Sequence, residues 1–124
     1  MKNLKVNTDA ISRFKIKNEP FENILIYGNT INRFGEFYDN SSNGNKMLYM
    51  CCNGIYWKRF KWLLKQIDEY KANVYIICNQ KTIDYYQAML KWMIDDWYNV
   101  DVSNVKLLKK EEYKDDILEK FGTL

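Results

Sequence analysis

Histidine is absent from this chain of 124 residues, proline occurs once and glycine five times. Without histidine the commonest general base is missing, so a Ser or Cys nucleophile has no recognisable base partner. An ordinary zinc site loses its usual ligands for the same reason, since the three cysteines include no CxxC pair. Two of them, Cys51 and Cys52, are adjacent, a pattern that reads as reduced thiols buried in strands rather than as a disulfide framework. No stretch approaches the roughly 20 apolar residues of a membrane span. Residues around Lys2, Asn3, Lys5 and Asn7 lack the apolar core of a signal peptide, so the expectation is a cytoplasmic protein without membrane insertion.

The phosphate-binding signatures are missing too. From Gly28 to Gly35 the chain fails GxxxxGK[ST], and no GxGxxG occurs. Carboxylates come in the doublets Asp68-Glu69, Asp95-Asp96, Glu111-Glu112 and Asp115-Asp116. Each doublet falls on an expected helix, where neighbouring side chains diverge by about 100°, so they read as solvated surface rather than as a metal-binding cluster. No catalytic residue, metal ligand or cofactor is expected.

Hydrophobic residues make up 47% and aromatics 16%, enough for one domain to bury a core without staples. Nineteen Lys and Arg against sixteen Asp and Glu leave a net charge of +3, too small to mark a nucleic-acid protein by itself. Asn, Lys, Ile and Tyr together supply 52 of the 124 residues, all types with A/T-rich codons. Small single-domain proteins with this bias are common among phage and mobile-element accessory genes, an association that carries no mechanism.

Residues 53–102 organise the chain. Val74 to Cys78 is a continuous β-branched and apolar run between Asn73 and Asn79, which predicts a strand covered on both faces. Before it, Tyr56, Phe60, Leu63, Leu64, Ile67 and Tyr70 recur at helical spacing over Ile55 to Lys71, with Asn53 or Gly54 as the start. After it, Ile83, Tyr86, Leu90, Met93, Ile94 and Trp97 repeat the pattern. Further strands are expected at Ile24 to Tyr27, Met47 to Cys52 and Val105 to Leu108, and a last helix from Glu111 to Phe121 that turns Tyr113, Ile117, Leu118 and Phe121 inward and stops at Gly122. Leu4/Val6 and Phe14/Ile16 alternate about the turn Asn7-Thr8-Asp9, and residues 1–22 read as an edge hairpin or arm. Asp39 to Asn45 is a polar loop. The expected fold is a small single-domain α/β sandwich with a mainly parallel sheet of about four strands flanked by helices.

Two surfaces invite a partner. On the helix from Ile55, the cations Lys58, Arg59, Lys61 and Lys65 precede any acid, and Trp62 projects between Lys58 and Lys65. An aromatic framed by cations can anchor a protein interface or stack on a nucleobase. Tyr85, Met89 and Trp92 form a second stripe, displaced from the Tyr86/Leu90/Trp97 face, which full burial or a partner would cover. A third region is the mouth where strands end in asparagine: Asn29 with Thr30, Asn53, and Asn79 with Lys81 nearby. Such a mouth can hold a nucleotide or phosphate, although asparagine is equally a good helix cap. The expectation is a non-enzymatic binding protein with a protein partner, ahead of a nucleic-acid-binding module and of a nucleotide enzyme at the strand ends.

Overall fold

Four short segments rich in β-branched and aliphatic residues form one sheet. The computed structural model describes residues 3–10, 21–29, 31–32, 71–84, 87 and 103–124. Strands β1 (Asn3–Asn7), β2 (Asn23–Tyr27), β3 (Asn73–Ile77) and β4 (Val105–Leu108) lie side by side in chain order, each pair parallel. The register puts Leu4, Ile24, Val74 and Val105 in one row and Lys5, Leu25, Tyr75 and Lys106 in the next. Ile24, Leu25 and Ile26 are successive residues with 0% exposure, so β2 is covered on both faces and needs no polar alternation.

Helix α1 (Asp115–Phe121) covers the face that carries Leu25, Tyr75, Ile77 and Leu108, with Phe121 packed among them and Tyr27, Tyr113 and Ile117 at the margin. Phe121 meets the Tyr75 ring edge-on at 5.9 Å, and the Lys120 ammonium sits 5.8 Å from the same ring. The opposite face, from Ile24, Ile26 and Ile76, is equally buried.

A chain of side-chain amides crosses the amino-terminal edge of the sheet. Asn73 Nδ2 donates to Asn23 Oδ1 at 3.3 Å, Asn23 Nδ2 to Asn3 Oδ1 at 3.0 Å, and Asn3 Nδ2 to the Lys120 carbonyl at 3.0 Å. Parallel, in-register pairing of Asn3, Asn23 and Asn73 makes this head-to-tail chain geometrically natural. It gives the buried Asn23 side chain both a donor and an acceptor partner, and it occupies one of the carbonyls that a helix leaves unpaired at its C-terminus. Lys5 Nζ donates to Thr123 O at 2.9 Å, fastening the end of the chain over β1.

Several expectations change. Leu4 and Val6 do lie on a short strand, but β1 is an edge strand of the main sheet paired parallel to β2, so Asn7-Thr8-Asp9 ends a strand instead of turning a hairpin. Phe14/Ile16, the loop at 39–45, the strand at 47–52 and the helix from Ile55 lie outside the described residues, and β1 supplies the fourth strand of the sheet. The last helix is shorter than its periodicity suggested: a 3-10 turn occupies Lys110–Glu112, and α1 begins at Asp115. The reason lies in Glu112, whose carboxylate accepts the Lys109 N–H at 2.9 Å and closes a separate turn, and in Lys114, which is extended at φ −153°. Leu118 is consequently 41% exposed rather than inward, while Gly122 ends the helix at φ 73° as its lack of a Cβ favours.

Candidate functional site

The carboxyl ends of the strands converge where sequence placed a mouth, and the residues there hold one another. At the end of β2, Gly28 has φ 140°, a region open in practice to glycine alone. A Cβ at Gly28 would come within 2.5 Å of Thr8 Oγ1 and 3.1 Å of Asn7 Oδ1, so the backbone of β2 presses directly on the end of β1. Thr8 Oγ1 donates to Tyr27 O at 3.2 Å, and the Asp9 carboxylate accepts the Asn29 N–H at 2.7 Å. The negative charge that meets the helical residues after β2 thus comes from Asp9 in the 3-10 turn that follows β1, and Asn29 contributes its backbone.

At the end of β3 the asparagine acts differently. Asn79 Oδ1 accepts the Thr82 N–H at 2.8 Å, and Asn79 O accepts the Ile83 N–H at 2.9 Å, the bonding of an N-cap to the helical residues 80–84. Asn32 then ties the two strand ends together: its Oδ1 accepts the Asn79 N–H at 2.9 Å and its carbonyl accepts the Thr82 hydroxyl at 3.3 Å. Thr82 is fully buried as a result. Across β4 the ladder persists to its last rung, with Cys78 N–H donating to Leu108 O at 2.9 Å.

Between these ends lies a cavity of about 460 Å³. It is lined by Ile77 at the end of β3, by Cys78, Asn79 and Gln80 that follow it, by Asn32, and by Lys109, Lys110 and Glu111 of the turn after β4. Burial, and secondarily the negative charge of Glu112, push the Cys78 thiol up to about 12, so it stays protonated and contributes an apolar surface rather than a nucleophile. The Tyr113 hydroxyl is also pushed up, by burial first and by Tyr27 second, and it donates to Gly122 O.

Of the mouth residues read from sequence, Asn79 lines the cavity, whereas Asn29 and Lys81 stand at strand ends outside its lining. Thr30 and Asn53 lie outside the described residues, as do Lys58, Arg59, Lys61, Trp62, Lys65, Tyr85, Met89 and Trp92. Sequence reasoning missed Asp9, Asn32 and the Lys109-Lys110-Glu111 turn. The turn carried a signal, since two adjacent cations directly follow a short aliphatic strand; Asn32 carried none, because its role depends on a residue 47 positions away. Among the described residues no group of three or more His, Cys, Asp and Glu is placed to hold a metal ion, and no helix is long and apolar enough to cross a membrane. No protein-family model, curated protein or solved structure matches the chain.

Proposed function

We propose that the protein is a non-enzymatic binding protein that docks on another protein, in the manner of a phage- or mobile-element-encoded inhibitor acting on a host protein or ribonucleoprotein. The observation that carries this reading is the order of residues 58–65, where Trp62 is framed by Lys58 and Lys65 with Arg59 and Lys61 beside it. A large aromatic among cations is the composition of an interface hot spot. The Tyr85/Met89/Trp92 stripe adds a second apolar surface of the kind that partners cover.

The second reading, a nucleic-acid-binding module, uses the same Lys58/Arg59/Lys61/Trp62/Lys65 set, with Trp62 stacking on a base and the cations on phosphates. Titration with a random single-stranded oligonucleotide at physiological salt separates the two. A protein-docking face gives no saturable binding. Micromolar or tighter binding that weakens linearly with log salt and disappears in a folded Trp62→Ala variant would reverse the order of the readings.

A further inference from the structure

We propose that the cavity at the carboxyl ends of β3 and β4 binds a small phosphate ester of mononucleotide size. The inference rests only on described residues and is independent of the docking surface at Trp62. Carboxyl ends of parallel strands are where open α/β sheets take ligands, although the chain-order arrangement of β1 to β4 contains no reversal of strand order to open a crevice. Here the space is made instead by the turn after β4, which stands away from Asn32 and Asn79 to leave about 460 Å³. That volume lies within the roughly 300 to 1,000 Å³ of small-molecule sites and limits the occupant to a mononucleotide rather than a nucleic-acid strand.

The walls are fixed by bonds that leave the binding groups available. Glu112 accepts the Lys109 N–H at 2.9 Å, and the Glu112 and Tyr113 N–H groups donate to Lys109 O and Lys110 O at 3.0 and 3.1 Å. These bonds set the turn through its backbone, and among the described residues neither the Lys109 nor the Lys110 ammonium is held in an ion pair. Elsewhere in the lining, Asn32 and Asn79 are locked by the 2.9 Å bond between them. The two ammonium groups supply the charge for a phosphate. Ile77 and the protonated Cys78 offer an apolar surface to the body of the ligand, and the Glu111 carboxylate can accept from ligand hydroxyls.

Amide chemical shifts of the full chain, titrated separately with inorganic phosphate and with adenosine and uridine monophosphates, test the proposal. Saturable shifts should centre on residues 77–80 and 109–112, and the nucleotides should bind more tightly than inorganic phosphate. Replacing both lysines, Lys109→Gln with Lys110→Gln, should weaken binding about tenfold or more without lowering the melting temperature. Glu111→Gln should tighten inorganic phosphate, a gain that damage to the fold cannot imitate. Absence of saturable shifts in this region up to about 10 mM ligand, or equal affinity of the double lysine variant, would overturn the site. Binding of phosphate with no added affinity from the nucleoside would overturn the assignment of a nucleotide-sized ester.

Discussion

Gly28 and Asn79 show how the strand ends are held, residue by residue. Gly28→Ala must place a Cβ 2.5 Å from Thr8 Oγ1 at φ 140°, and the backbone alone should cost about 1 to 3 kcal/mol in denaturant unfolding. Asn79→Ala removes a side-chain cap and should cost about 1 kcal/mol, whereas Asn29→Ala keeps the backbone bond to Asp9 and should be nearly neutral. Equal losses at the two positions would show that the caps were misassigned. Cys78 tests burial through pH. The folded chain keeps that proton to about 12 while the unfolded chain releases it near 9.0, so its contribution is complete below pH 9 and is lost as pH rises toward 12. The difference is on the order of 4 kcal/mol, and the alkaline loss of stability should be shallower in Cys78→Ala than in the parent. The asparagine chain was legible in principle, because Asn3, Asn23 and Asn73 each open a strand directly before an aliphatic residue, and Asn104 directly precedes β4. Only the register reveals that Asn3, Asn23 and Asn73 align, and register is a property of pairing across long separations.

Among the elements, β2 and β3 could be read from their sequence because aliphatic runs buried on both faces need no partner to be recognised, and β4 from its short Val105/Leu107/Leu108 run although only Leu108 is buried. β1 was harder: with Asn3, Lys5 and Asn7 alternating against Leu4 and Val6 it reads as a half-exposed strand, which a hairpin satisfies as well as a parallel edge does. Helix α1 was located but overextended, since the periodicity of Tyr113, Ile117 and Phe121 runs through a turn that Glu112 closes independently. Two of the three apolar side chains of α1, Phe121 and Leu118, should therefore behave unlike each other. Phe121, 6% exposed against Leu25 and Tyr75, should lose about 3 to 5 kcal/mol on mutation to Ala. Leu118→Ala, at 41% exposure, should change stability by no more than about 0.5 kcal/mol. Comparable losses in thermal or denaturant unfolding would mean that the helix presents a different face to the sheet.

For the whole molecule, the parallel α/β class followed from composition and from short connections between strand and helix patterns, whereas the order of the strands did not. Chain-order stacking of β1 to β4 depends on which edges pair, and the apolar character of each strand is compatible with several orders. The site was legible in part for the same reason: Asn79 declares itself as a strand-to-helix junction, but the approach of Asn32 and Lys109 to it is tertiary. The proposed function rests on the sequence around Trp62, where Lys58, Arg59, Lys61 and Lys65 accompany the aromatic residue. Affinity capture with the parent chain and a folded Trp62→Ala variant as baits, on lysate with and without nuclease treatment, tests it directly. A protein retained by the parent, resistant to nuclease and lost with Trp62→Ala is the predicted result. Material that vanishes on nuclease treatment, or that both baits retain equally, would contradict the account.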